Sequence, residues 1–221
     1  MKEIRQIVRE VLKESFLNEN DENLNNATEE EQLAAVQDEG HVIQFIKNPS
    51  EAVQLAAVEN DGGSIKHIDN PSEALQLAAV ENGGAIMYID NPSEAVQLAA
   101  VKKNSLAIRA IKNPSEAIQL AAVKKNGYTI RNIKNPSEAV QLAAVENGGD
   151  VIQCIKNPSE AAQLAAVEND GDSIQYIKNP SEAAQLAAVE MDVNAIEYID
   201  NPTKAVVKIK AKADLSRWMK G

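Results

Sequence analysis

The chain has 221 residues, a net charge of −11 and an apolar fraction of 44%, but aromatic residues make up only 3% of it. The acidic balance argues against direct nucleic-acid binding, and a single cysteine, Cys154, excludes an internal disulfide framework. The first residues are charged where a signal peptide needs an apolar stretch, and no apolar run reaches the length of a membrane span. We therefore expect a cytoplasmic protein with no membrane contact.

Residues 1–26 form the first predicted segment. Apolar residues in the stretch 1–17 recur at helical spacing, which predicts an amphipathic helix, and a polar, Asn-rich linker follows it up to residue 26. One interpretation is a capping helix that folds onto the first repeat. The other is a docking helix that binds a partner or a second copy of the chain, which would give a homo-oligomer.

Residues 27–201 form a predicted repeat array. All eight prolines fall in one recurring phrase, Asn-Pro-Ser/Thr-Glu/Lys, and they are spaced by 22 residues except for one interval of 21. Counting back another 22 residues from Pro49 reaches Ala27, which opens a first copy without its proline. The period therefore predicts about eight repeats and a terminal half-repeat.

Each repeat is predicted to contain two short helices. In the second copy Asn48 suits the N-cap of the first helix, Pro49 its first position and Glu51 its third. The segment Asn60–Gly63 suits a left-handed turn that ends this helix. A pair of isoleucines three residues apart, such as Ile65 and Ile68, marks one face of the second helix.

Helices this short are unstable alone, so each repeat must pack on its neighbours. The predicted fold class is therefore all-α: an α-solenoid of about eight 22-residue two-helix repeats with capping helices at both ends. Residues 202–221 supply the C-terminal capping half-repeat and a basic tail, since Thr203–Gly221 has six basic residues and one acidic residue.

The phrase Ala121–Tyr128 resembles the Leu-Ala-Ala-Val-Lys-Gln-Asn-Gly core of a repeat family of unknown function found in bacteria, phages and large DNA viruses. The resemblance covers about Asn26 to Asn201, although the family's repeats are somewhat longer than 22 residues. It implies paired helices, no known chemistry and a bacterial or phage-infected host cell.

No catalytic residue, cofactor site or metal site is predicted. The chain has no phosphate-binding glycine loop, no zinc-spaced Cys/His set and no nucleophile elbow. Glu51 and its equivalents recur in the repeats and are explained by helix capping. Gln54 and its equivalents recur as well, and stacked repeats would place these amides either in a hydrogen-bonded ladder or on the surface.

Two variable columns in the second helix are the candidate binding positions, because packing does not dictate them. Four of the seven aromatic residues lie just before the second isoleucine of their repeat, and two adjacent central repeats add lysines and arginines. Aromatic and arginine side chains often anchor interfaces. The alternative interpretation is that the rings cover the isoleucine core. The predicted partner-binding residues are Phe45, His67, Tyr88, Lys102, Lys103, Arg109, Lys124, Lys125, Arg131, Tyr176 and Tyr198.

The leading functional hypothesis is a non-enzymatic repeat scaffold that binds a macromolecular partner, in particular a protein, through these columns and a central basic patch. The alternative is an acidic phage or bacterial inhibitor that mimics nucleic acid and occupies a DNA-binding protein. An enzyme of the helical-repeat glycosylase kind would need a catalytic carboxylate in a basic groove, and the sequence singles out no such carboxylate.

Overall fold

The computed structural model describes residues 22–83 and 85–219. Every regular element in that part of the chain is helical, and the elements alternate in a regular order, so the all-α repeat class is confirmed. The α-helices are α1 (Glu22–Asn26), α2 (Glu29–Asp38), α3 (Glu51–Asn60), α4 (Glu73–Glu81), α5 (Glu94–Lys103), α6 (Glu116–Lys125), α7 (Glu138–Val145), α8 (Glu160–Asn169), α9 (Glu182–Met191) and α10 (Lys204–Trp218).

A 3₁₀ helix follows each of the helices α2 to α9. Each pair makes one repeat, so repeat 1 is α2 with its 3₁₀ helix and repeat 8 is α9 with its own. The 3₁₀ helices of repeats 1 to 8 are Gly40–Phe45, Gly62–His67, Ala85–Tyr88, Ser105–Ala110, Gly127–Asn132, Gly149–Cys154, Gly171–Tyr176 and Val193–Tyr198.

The chain divides into two compact units, Met1–Lys112 and Asn113–Gly221. In the N-terminal unit the α-helices of repeats 1 to 4 pack on one another in chain order, and their 3₁₀ helices do the same. In the C-terminal unit repeats 5 to 8 pack in the same way, and α10 packs on repeat 8. Each unit is thus a stack of neighbouring repeats, as short helices require.

The α-helices begin two residues later than the sequence predicts. Asn48 is not an N-cap, because its backbone lies in the left-handed region with φ 52°. Ser50 is the N-cap, and its hydroxyl accepts a hydrogen bond from the Val53 amide. Asn tolerates left-handed backbone better than most residues and Ser caps as well as Asn does, so the same phrase permits the later start. Glu51 is therefore the first helical residue, near the positive end of the helix dipole.

The second helix of each repeat is a 3₁₀ helix rather than an α-helix, and in repeat 2 it follows the first without the predicted left-handed turn. Asp61, the residue between them, is extended with φ −140°, and its carboxylate accepts a hydrogen bond from the Gly63 amide. Gly62 is needed for space instead: a Cβ there would lie 2.2 Å from the carbonyl oxygen of Ala79 in the next repeat. Close approach of the repeats thus explains this glycine.

The core of each unit is built from small and branched aliphatic side chains. Val58 and Ala57 of α3 are fully buried, and their equivalents in repeats 3 to 8 are buried as well, whereas in repeat 1 only the valine, Val36, is buried. The first isoleucine of each pair lies in the 3₁₀ helix and the second follows it, where its amide donates to the carbonyl of the first. Both members of the pair are buried in repeat 1, as Ile43 and Ile46, which confirms that the pairs mark the inner face.

The repeated glutamine joins backbone segments. Gln54 Nε2 donates to the carbonyl of Pro49, five residues earlier, at 2.9 Å, and the equivalent bond forms in the other repeats. In the C-terminal unit the amide oxygens of three such glutamines also accept from a backbone amide of the next repeat. The link between repeats therefore runs from side chain to backbone rather than from amide to amide.

The two ends of the repeats differ. At the N-terminal end α1 lies within the stretch expected to be a polar linker, and it buries Leu24 beside the 3₁₀ helix of repeat 1. The amphipathic helix expected over residues 1–17 lies outside the described residues. At the C-terminal end α10 buries Val206, as a capping helix should, while Trp218 remains 80% exposed.

Candidate interaction surface

The predicted aromatic column lies on the 3₁₀ helices, at the last residue of each. Phe45, Tyr88, Tyr176 and Tyr198 are 37%, 47%, 43% and 53% exposed. Each ring is therefore partly packed against its surroundings and partly open. Both interpretations of the column, as interface anchors and as a cover for the core, are compatible with this exposure. One part of each ring covers neighbouring atoms, and the other part is available for contact.

In the N-terminal unit this column includes a histidine and a ring that contacts a cation. Lys66 Nζ lies 5.7 Å from the centroid of the Tyr88 ring, a cation–π distance. His67 is half-buried. Its pKa is lowered, first by burial and then by the positive neighbours Lys66 and His41, with Asp61 acting in the opposite direction. The neutral imidazole is therefore favoured at this position.

The N-terminal unit contributes Lys102, Lys103 and Arg109 to the predicted basic patch, and all three are exposed. Lys102 and Lys103 end α5, and Lys103 Nζ lies 3.9 Å from a carboxylate oxygen of Glu81 at the end of α4. An exposed ion pair of this kind is worth little. Arg109 lies near the end of the 3₁₀ helix of repeat 4.

The C-terminal unit contributes Lys124, Lys125 and Arg131, which are also exposed. Arg131 is held in place: its Nε donates to the carbonyl of Tyr128 at 3.1 Å, and its guanidinium carbon lies 5.5 Å from the centroid of the Tyr128 ring. A patch that joins these cations to those of the N-terminal unit stays a prediction.

Tyr128 and Cys154 complete the surroundings of Arg131. The Tyr128 hydroxyl donates a hydrogen bond to Asp150, and this bond raises the pKa of the phenol. Arg131 Nη2 lies 3.5 Å from the sulfur of Cys154 in the next repeat. The guanidinium is therefore fixed beside repeat 6 by neutral partners, and its charge stays available to a ligand.

A groove lies beside Arg131, between the 3₁₀ helices of repeats 5 and 6 and the segments that follow them. We call each segment that joins a 3₁₀ helix to the next α-helix through Asn-Pro a corner. The polar rim of the groove carries Arg131, Lys134 and Lys156, and no Asp or Glu lines it. The remaining lining residues are Ile130, Ile133, Asn135, Pro136, Gln141, Cys154, Ile155 and Asn157. We call this set the basic groove.

The N-terminal unit has an equivalent groove between repeats 2 and 3. It is lined by Ile65, Lys66, Ile68, Asp69, Asn70, Pro71, Gln76, Tyr88, Ile89 and Asp90. Arg131, Lys134 and Lys156 of the basic groove correspond to Lys66, Asp69 and Asp90 here, counted along the repeat. The two grooves therefore occupy equivalent places in their repeats and have opposite charge.

Lys134 and Lys156 were not among the predicted binding residues. They belong to the position that follows the second isoleucine, which reads Lys47, Asp69, Asp90, Lys112, Lys134, Lys156, Lys178 and Asp200. This run of four lysines between aspartates was the signal that could have revealed them. Lys134 belongs to one of the two central basic repeats, but this position lies outside the candidate columns because they precede the second isoleucine rather than follow it.

Other kinds of site were also sought in the part of the chain that the structure describes. No group of three His, Cys, Asp or Glu side chains there is arranged to hold a metal ion. None of the helices described is both long enough and apolar enough to cross a bilayer. Comparison with family models, with curated proteins and with solved structures finds no match to this chain. The repeat-family resemblance therefore stays a prediction.

Proposed function

We propose that the chain is a non-enzymatic repeat protein that binds a protein partner through the exposed side chains of its 3₁₀ helices and the nearby cations. The observation that carries the proposal is the half-exposed aromatic column, from Phe45 to Tyr198, in repeats whose cores need no such rings. Repeats 4 and 6 place Ala110 and Cys154 at the same position, so the fold does not require an aromatic there. Rings and guanidinium groups in such places are typical interface anchors.

The expected site of action is the cytoplasm of a bacterial or phage-infected cell. This location, like the partner, is part of the proposal. The single cysteine is compatible with a reducing compartment, and the host follows from the repeat-family resemblance.

A pull-down with a matched control tests the proposal. The test variant replaces four exposed cations by alanine: K102A, R109A, K124A and R131A. The control removes four exposed cations of α10 instead: K204A, K208A, K212A and R217A. We expect a host protein that co-purifies with the wild type and the control but not with the test variant, while circular dichroism shows all three folded. Equal capture by the test variant contradicts the proposal.

The second candidate is a nucleic-acid mimic, and one observation favours it. The N-terminal unit, residues 1–112, has 10 Lys and Arg against 19 Asp and Glu, a net charge of −9. Exposed glutamates begin helix after helix there, as at Glu51 and Glu73. This candidate predicts salt-sensitive binding to a basic DNA-binding protein, with displacement by DNA. Binding that DNA does not displace would exclude it.

A further inference from the structure

The basic groove differs from its surroundings in charge. The C-terminal unit, residues 113–221, has a net charge of −2, from 12 Lys and Arg against 14 Asp and Glu. Within it, three cations from two adjacent repeats line one groove that no carboxylate lines. A cluster of like charges raises the local potential and attracts ligands of opposite sign.

The charges in the groove are not neutralised by the protein. Among the residues that the structure describes, neither Lys134 nor Lys156 takes part in an ion pair. Arg131 contacts the carbonyl and ring of Tyr128 and the sulfur of Cys154, none of which is a carboxylate. Its guanidinium has further N–H groups to offer, and bidentate binding of a carboxylate is its strongest use.

The groove also offers neutral hydrogen-bonding groups at a suitable spacing. Asn135 and Asn157 line it from successive Asn-Pro corners, and both residues are exposed. Packed helices lie about 8 to 10 Å apart, whereas an extended peptide advances about 3.3 Å per residue. Cations on neighbouring repeats therefore match carboxylates two or three residues apart on an extended chain, and the asparagine amides match its backbone.

We infer that the basic groove binds an extended acidic peptide segment of a partner protein, whose carboxylates pair with Arg131, Lys134 and Lys156. This inference rests on the proposed protein-binding function and names the chemistry of the partner. A peptide fits better than a nucleic acid because the basic stretch is short: within the C-terminal unit the position of Lys134 and Lys156 continues as Lys178 and then as Asp200. A polynucleotide would extend its regularly spaced phosphates over Asp200.

The equivalent groove of repeats 2 and 3 supplies the variants for the test. K134D/K156D gives the basic groove the aspartates that the chain itself carries at positions 69 and 90, so the fold tolerates them. The reciprocal variant K66R/D69K/D90K gives the acidic groove the three cations. Thermal unfolding and circular dichroism check that each full-length variant is folded.

The probe is a short fluorescein-labelled peptide in which Asp and Glu alternate with Ser and Gly, and fluorescence anisotropy measures its binding. We expect K134D/K156D to weaken binding by about tenfold or more, since two charge-assisted contacts are lost. We expect K66R/D69K/D90K to raise the stoichiometry from one peptide towards two. Added salt should weaken binding to the wild type.

Three results would overturn the inference: no binding of the acidic peptide by the wild type, equal binding by wild type and K134D/K156D, or preferential binding of an oligothymidylate to the same lysines. Lys134 and Lys156 are unchanged in the pull-down variants. A failure here with a successful pull-down therefore rejects the acidic-peptide groove alone, whereas a failed pull-down rejects the wider function.

Discussion

Two neighbouring corners of the C-terminal unit have the same sequence and different conformations. Both read Asn-Pro-Ser-Glu, at 135–138 and at 157–160. Asn135 is left-handed with φ 50°, like Asn48, Asn70, Asn91 and Asn113, whereas the corner at Asn157 has no residue with positive φ. The hydroxyl of Ser137 donates to Glu116, but in the second corner the backbone amide of Ser159 donates to Gln141 at 2.8 Å.

Because the two corners have the same four residues, the difference shows that contacts outside the corner select its conformation. The left-handed corners precede a large buried residue in the next helix, such as Val140, whereas those at Asn157 and Asn179 precede Ala162 and Ala184. The corner at Asn157 contacts Gln141 of the preceding repeat, and Ser159 is correspondingly less exposed than Ser137. The corner at Asn201 makes the same glutamine contact above Val206, with Thr203 and Lys204 in place of Ser and Glu.

The largest expected effect comes from the spacing between repeats. In G149A the new Cβ would lie 2.4 Å from the carbonyl oxygen of Ala166, so we expect the free energy of unfolding to fall by about 2 to 3 kcal/mol. G171A is the matched control, since the nearest atom would be 3.6 Å away. It should change the free energy of unfolding by less than about 1 kcal/mol. Urea denaturation measures both, and equal losses would contradict the close approach of repeats 6 and 7.

Substitution of two glutamines tests whether the contact made by the second corner contributes stability. Gln141 bonds both the Pro136 carbonyl and the Ser159 amide, whereas Gln119 bonds the Pro114 carbonyl and faces a left-handed corner. We expect Q141A to lower the free energy of unfolding by about 2 kcal/mol and Q119A by about 1 kcal/mol. If urea denaturation gives the same loss for both, the second bond contributes no stability.

Substitution of Asn135 and Asn157 tests the backbone conformation of the two corners. Alanine is disfavoured in the left-handed region, so N135A should lower the free energy of unfolding by about 1 kcal/mol, while N157A should have little effect. N135G restores the accessible backbone and should recover most of the loss. A larger loss for N157A than for N135A in thermal unfolding would contradict the assignment of the two corners.

The smallest expected effect is a gain in stability. The Thr129 hydroxyl is buried without a hydrogen-bond partner, and the equivalent position in the next repeat is Val151, which is also buried. T129V therefore removes an unpaired polar group at almost constant shape and should raise the free energy of unfolding by about 1 kcal/mol. V151T should lower it by a similar amount. Loss of stability in T129V would show that the hydroxyl has a partner.

The period, the helical class and the buried isoleucines could be predicted because they repeat eight times, and a local pattern in each repeat points to the same fold. The 3₁₀ geometry could not, since isoleucines three residues apart suit either helix type. The left-handed Asn48 and the later helix start depend on contacts between repeats that no single phrase encodes. In the candidate site, the position of the aromatics at the end of the second helix predicts their partial exposure. The basic groove could not be predicted in the same way, because it depends on the packing of repeats 5 and 6, which places Lys134 and Lys156 on one rim.

Amide hydrogen exchange at the serine of each corner, measured by NMR on the wild-type chain, tests most directly whether packing selects the conformation. The account predicts that the amides of Ser159 and Ser181, which donate to Gln141 and Gln163, exchange about tenfold or more slowly than the amide of Ser137. Equal exchange rates at Ser137 and Ser159 would mean that the two identical segments share one conformation, which would contradict the account.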